Sequence, residues 1–255
     1  MDSQIRVTLV ANAGLLLRYR DTAILLDALF SEGDHSFCAP SESTQEKLLR
    51  SDPPFEQIDY LMFSHLHEDH FSEARVREFL SRRRVRGLLL PCAAEPAQQG
   101  FFDFVKEAGI PCFLLTEHTG RAVFRLSPDV RVTAVRTLHL DRKYHGVPHY
   151  CYLIAFGEKK LLFTSDVDYT EERFAFLEGV RLRAAFVNPL FFGDLRRRRF
   201  FHGSLPAETV VVYHVPAPEG DGMQIHRMLS RELRDRPEEE AKPVILSREL
   251  ETILL

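Results

Sequence analysis

Residues 64–71 read SHLHEDHF, and this segment narrows what the chain can fold into more than any other. It places His65, His67, Asp69 and His70 within six positions, just after the apolar run IDYLMFS (58–64). Neutral imidazoles and a carboxylate suit zinc and related divalent ions. Side chains two apart in an extended segment share a face, so His65 and His67 can grip one ion together. FSEARVREFLSRR (71–83) carries Val76, Phe79 and Leu80 at helical spacing. A turn into that helix can bring Asp69 and His70 toward a second ion. One short loop cannot supply two coordination shells, so further ligands must come from other strand ends. Loops at strand ends are where a rigid scaffold commonly presents functional groups.

Such ends are present. His139 follows the strand-like VRVTAVRT (130–137), Asp166 follows KLLFTS (160–165), and His214 ends TVVVYH (209–214). Other β-rich runs are IRVTLVA (5–11), GLLLRYR (14–20), TAILLDA (22–28), RGLLLP (86–91), CFLL (112–115), RAVFRLS (121–127), YCYLIAF (150–156), AAFVN (184–188) and PVILS (243–247). Helices are expected over 43–50, 71–83, 95–108, 170–179 and 221–234, the last with Ile225, Met228, Leu229 and Leu233 on one face. No clear repeat or long linker interrupts the chain, and residues 1–255 read as a single domain. Two strand-rich halves with helices between strands predict sheet packed on sheet, with helices covering both outer faces.

Composition excludes several classes. Apolar residues are 45% and charged residues 27% of the 255, which is globular rather than disordered or collagen-like. No apolar run approaches the ~18 residues of a membrane span. MDSQIRVTLV lacks the basic and then apolar segments of a secretory signal. Cys38, Cys92, Cys112 and Cys151 are widely spaced with no CxxC pair, which favours free thiols and a cytoplasmic setting. The net charge of −4 gives no general attraction to nucleic acid or to acidic membranes. RRRVR (82–86) closes a helix, where cations complement the dipole. The Arg196–Arg199 run in LRRRRFFHG (195–203) could face a phosphate-bearing substrate, solvent or a partner.

HLHEDH resembles the HxHxDH signature of the metallo-β-lactamase fold superfamily, and Asp27, ending AILLDA, resembles its early aspartate. The motifs fall in the family's order from Asp27 to His214, so the resemblance spans nearly the whole chain. It implies an α/β four-layer αββα sandwich with a metal site at one edge between the sheets. His65, His67 and His139 would hold one metal; Asp69, His70 and His214 would hold the other. Asp166 would bridge them, and Asp27 would order the ligand loop. Two departures stand out. Many members have Gly before the bridging aspartate, where this chain has Ser165. Many carry a GHT-like motif at the third histidine. Here His139, His145 and His149 all lie in LHLDRKYHGVPHY, and His139 is favoured because it closes a strand. Asp168 is a rival to Asp166 but reads better as a helix cap. His35, His118, His202 and His226 lack partners in sequence.

The resemblance implies a hydrolase with two divalent ions, most simply Zn2+, with Mn2+ or Fe as alternatives. A hydroxide shared by the two ions would attack an ester, lactone, thioester or phosphodiester. Asp69 would be the catalytic carboxylate, able to protonate the leaving group, with Tyr144, His149 and His202 as other donors. The substrate would be a small molecule, anionic if the arginine run contributes. A homodimer is the default assembly for a soluble enzyme. Two other readings remain: a non-catalytic scaffold that keeps the fold, and a di-iron redox protein. Flavodiiron-type members have glutamate where this chain has His67. Residues 31–43, SEGDHSFCAPSES, would form one pocket wall.

Overall fold

The computed structural model describes residues 4–33, 37–92, 99–116, 118–169, 171–192, 205, 207–235 and 242–255, with only the backbone described at 171–173. The first half begins with antiparallel strands β1 (Arg6–Ala11), β2 (Gly14–Tyr19) and β3 (Thr22–Leu26). Both hairpins turn through a left-handed residue, Asn12 at φ 47° and Arg20 at φ 51°. Pairing then becomes parallel through β4 (Tyr60–Met62), β5 (Gly87–Cys92) and β6 (Cys112–Thr116). Parallel neighbours need crossovers. Helices α1 (Glu42–Arg50), α2 (Glu73–Arg82) and α3 (Gln99–Glu107) supply them.

The second half follows the same plan. β7 (Arg121–Ser127), β8 (Val130–Thr137), β9 (His149–Phe156) and β10 (Lys159–Phe163) are antiparallel. β11 (Leu182–Val187), β12 (Ala207–Val212) and β13 (Val244–Ile245) continue in parallel, with α4 (Ile225–Asp235) between the last two. The final strand β14 (Thr252–Leu254) returns to pair with β1. Two seven-stranded sheets result, ordered β14-β1-β2-β3-β4-β5-β6 and β13-β12-β11-β10-β9-β8-β7. Each runs from antiparallel to parallel, a structural repetition that the sequence does not display.

Strand alternation sorts the core into layers. Leu15, Leu17, Ile24 and Leu26 point between the sheets, where they meet Ile154, Leu161 and Phe163. Leu16 and Leu25 point outward to Leu48, Val76, Phe79 and Phe101 of the helices. Leu162 and Val212 do the same on the second sheet, against Ile225 and Leu229 of α4. This is the four-layer αββα sandwich. Helix α2 starts where Ser72 accepts a hydrogen bond from the Arg75 N–H. The RRRVR segment is absorbed locally: Arg83 donates to the Leu48 and Glu56 carbonyls, and Arg86 meets Asp59.

Three expectations shift. TEERFAFLEG forms a 3-10 segment, Glu171–Leu177, rather than an α-helix. PVILS contributes a strand of only two residues, Val244–Ile245. The C-terminal strand was not anticipated. The Arg196–Arg199 run, His35 and His202 lie outside the described residues. Among the described residues no helix is long and apolar enough to cross a membrane.

Candidate metal centre

The chemistry-bearing residues gather beyond the C-terminal ends of the parallel strands. Asp27 follows β3 and residues 64–71 follow β4; Asp166 follows β10 and His214 follows β12. Several of these positions turn sharply out of their strands. Asp27, Ser165 and His214 have φ of 49°, 49° and 61°. That left-handed backbone explains why glycine suits the position that Ser165 occupies.

The donors form two groups, His65–His67–His139 and Asp69–His70–Asp166–His214, and within each all ligand atoms lie within 4.8 Å. In the first, His65 Nε2 is 3.0 Å from His67 Nδ1. In the second, His70 Nε2 is 3.1 Å from His214 Nε2, and Asp69 Oδ2 is 3.5 Å and 3.4 Å from these two nitrogens. Asp166 joins the groups. Its Oδ2 lies 3.4 Å from His70 Nε2, 3.6 Å from His139 Nε2 and 3.9 Å from His65 Nε2, while Oδ1 lies 3.4 Å from His214 Nε2.

Hydrogen bonds behind these side chains fix which nitrogen is free. Asp27 accepts from the Ser64 N–H at 2.7 Å, from Ser64 Oγ at 2.6 Å and from His70 Nδ1 at 3.1 Å. His70 Nε2 is therefore left to face the cluster. The Ser64 hydroxyl already donates to Asp27, so its oxygen accepts from His65 Nδ1 at 3.0 Å and from Ser165 Oγ at 2.7 Å. His65 Nε2 is left free in the same way. Asn188 Nδ2 donates to Asp166 Oδ1 at 2.7 Å. Asn12 Nδ2 donates to the Asp69 carbonyl, while the Asn12 carbonyl accepts from the His214 N–H. Asp141 N–H donates to His139 Nδ1 at 3.0 Å, so holding an ion through Nε2 requires that bond to open.

The electrostatics divide the groups. Burial, reinforced by neighbouring imidazoles, pushes His65 well below the ordinary histidine range and His67 down to about 4. Burial opposes charge on His70 and His214 too. For His70 the carboxylates of Asp69, Asp166 and Asp27 outweigh it and raise the ring well above its usual value. For His214 the carboxylates of Asp166 and Asp69 do the same and raise it to about 9. Burial pushes Asp69 and Asp166 up, but the adjoining histidines outweigh it and hold both carboxyls below the usual range. The second group thus binds positive charge strongly.

These residues fit metal ions. His139 Nε2, 3.6 Å from Asp166 Oδ2, is buried without a hydrogen-bond partner. Nitrogens that face one another near 3 Å suit a shared cation better than they suit each other. The donor set is nitrogen and oxygen alone, without thiolate, which zinc, manganese and iron all accept.

A family model described as the Beta-lactamase superfamily domain matches residues 22–232. The chain belongs to the metallo-β-lactamase fold superfamily. Among solved structures it is similar to CmlA, a diiron β-hydroxylase from Streptomyces venezuelae, at 18% identity and TM-score 0.65, over 100% of this chain and 54% of that one. It thus spans about half the length of CmlA. It is also similar to YhfI, a metallo-β-lactamase fold protein from Bacillus subtilis, at 14% identity and TM-score 0.60, over 99% of this chain and 100% of that one. Igni18, a metallo hydrolase from the archaeon Ignicoccus hospitalis, is similar at 14% identity and TM-score 0.60, over 99% and 98%. At these identities the likeness is one of fold. Comparison with curated protein sequences gives no match.

Within this superfamily member, the histidines of LHLDRKYHGVPHY separate cleanly. His139 enters the first group; His145 and His149 do not. His149 is fully buried beside His65, ring centroids 5.1 Å apart, and its Nδ1 lies 2.7 Å from Thr137 Oγ1. Asp168 joins neither group. His226 Nε2 donates to the Pro216 carbonyl. A cavity of about 340 Å³ opens onto His139, Asp166 and His214. Phe37 lines it, its ring centroid 4.3 Å from that of His214 and nearly perpendicular to it, so part of the 31–43 segment does form a wall. Sequence reasoning missed Asn12, Ser64 and Asn188. The signal for two of them was available, since Ser64 and Asn188 end apolar runs just as Asp27 does.

Proposed function

We propose that this chain is a dinuclear metal-dependent hydrolase. His65, His67 and His139 would hold one divalent ion, Asp69, His70 and His214 would hold the other, and Asp166, between the two groups, would serve both. The observation that carries this reading is the position of Asp166 Oδ2, within 3.9 Å of nitrogens from both groups. When bound, two such ions supply a hydroxide nucleophile at neutral pH and stabilise developing oxyanion charge. The chain's own residues do the rest. Asn188 fixes one oxygen of Asp166 and leaves the other for sharing. Asp69, its Oδ2 3.5 Å and 3.4 Å from the His70 and His214 ring nitrogens, would be the carboxylate that relays a proton toward a leaving group. Tyr144 lies over His67, ring centroids 4.3 Å apart, and closes one side against water.

The test is metal content with turnover. Protein purified without chelator should carry about two zinc or manganese ions per chain and cleave ester or phosphodiester substrates. His67→Ala and Asp69→Ala should each lower turnover by at least about a hundredfold. Full activity in the metal-free double variant would overturn the reading. The fold likeness to a diiron β-hydroxylase favours a second reading, oxygen-dependent redox chemistry, because this donor set also accepts iron. Two irons per chain with oxygen uptake and no hydrolysis would select it.

A further inference from the structure

The cavity beside the donor groups is lined unevenly. One side is polar, made by His139, Asp166 and His214. The walls are apolar, made by Phe37, Leu140, Leu190, Pro216, Met223 and Ile225. Those six come from four segments of the chain, and together they face a single space that leads to Asp166. Met223 is 57% exposed, a large apolar side chain held at the rim with little to cover it. Apart from the ion-holding end, the only formal cation among the described lining residues is Lys143, which is 64% exposed and already 3.3 Å from Asp141. A charged group lying along these walls, away from that end, would surrender its hydration without new partners, which is costly. Methylene or ring carbons would gain by leaving water. A cavity of about 340 Å³ is at the small end for ligand sites.

We propose that the substrate is a carboxylic ester or thioester with a short apolar acyl chain. Its carbonyl sits over Asp166 and His214, and its chain lies along Phe37, Met223 and Ile225. This rests on the hydrolase reading above. Water adds across the acyl C–O or C–S bond: the acyl carbon takes the hydroxyl, the leaving alcohol or thiol takes the proton, and no electrons are exchanged with another reactant. The walls select chain length, and Lys143 at the mouth contributes little to selection.

The test uses the full chain loaded with zinc. Turnover is measured on p-nitrophenyl acetate, butyrate and hexanoate and on bis(p-nitrophenyl) phosphate. Binding of acetate and hexanoate, the acyl products, is measured by calorimetry. Each buried methylene should tighten binding by up to about fourfold, so hexanoate should bind at least about tenfold more tightly than acetate. The kcat/KM of the esters should rise in the same order and exceed that of the phosphodiester. In Met223→Ser the preference for hexanoate over acetate should fall about threefold in both readouts. A flat chain-length profile in binding and turnover overturns the proposal, even if some substrate is cleaved, and leaves the hydrolase reading standing. A tenfold binding preference without hydrolysis of any compound supports the apolar acyl site and removes the hydrolase reading instead.

Discussion

Asp27 shows how much a single side chain can organise. It accepts three hydrogen bonds, two from Ser64 and one from His70, and is 1% exposed. Replacing it by Ala would leave three buried donors without acceptors, each costing about 1–3 kcal/mol. It would also release His70 from its orientation, and loss of such an outer partner typically weakens metal affinity 10–100-fold. We expect Asp27→Ala to lower zinc affinity by that factor in competition with a chromophoric chelator; unchanged affinity would show that Asp27 only supports the fold. Ser165 gives a finer test. In Ser165→Ala the left-handed backbone stays strained while the bond to Ser64 is lost, so stability should fall by about 1 kcal/mol in urea titration. Ser165→Gly relieves the backbone and should recover part of that loss. At this scale the candidate ligands were legible in the sequence, because few residue types bind metals and HLHEDH packs several into one loop. Asn12 was not legible: an amide that steadies a loop carbonyl looks in sequence like any turn asparagine. The sequence favoured His139 over His145 and His149; in the structure His139 groups with His65 and His67, while His149, equally close to His65, pairs its Nδ1 with Thr137.

Elements position those residues through close packing, and Gly14 marks the tightest point. A Cβ at Gly14 would fall 2.8 Å from the Ala28 Cα and 3.0 Å from the Ala11 carbonyl oxygen. Backbone atoms cannot swing aside, so β2 must move away from the turn that carries Asp27. Gly14→Ala should cost about 1–3 kcal/mol and lower metal retention with it. Wild-type stability by chemical denaturation would show that the turn tolerates the shift. Between the sheets, Leu17→Ala should cost about 2–5 kcal/mol, because its neighbours there are themselves fully buried and cannot close the gap. Strong alternation made most of these strands readable, as in RAVFRLS, which matches β7 residue for residue. Where the pattern was short the reading failed. Thr252–Leu254 is too brief to show a period, and it becomes a strand because β1 offers it an open edge. TEERFAFLEG has a helical distribution of apolar residues, yet tertiary contacts of Phe174 and Leu177 hold it in the tighter 3-10 form.

For the molecule as a whole, layering sheet on sheet and helix on sheet buries acids that ordinarily meet water. Cys151, Tyr152 and Tyr213 are all within 1% of complete burial. Burial pushes the Cys151 thiol from near 9 up to about 12 and raises the Tyr152 and Tyr213 phenols well above their usual value. Such a group keeps its proton in the folded chain after the unfolded chain has released it. Above the ordinary value the unfolded state therefore binds fewer protons, and stability falls as pH rises. For Cys151 the loss begins near pH 9 and continues toward about 12, at about 1.4 kcal/mol per pH unit. Below pH 8 this group contributes no slope. Urea midpoints measured at pH 8, 9 and 10 should decline progressively, and Cys151→Ala should decline less steeply by one thiol's share. Its lower stability at pH 8, from the lost packing, does not affect that comparison of slopes. Parallel declines in the two proteins would mean that the Cys151 proton is lost equally early in the folded state. The thiol would then have a route to water, and the second sheet would pack less closely around Cys151 than this structure shows.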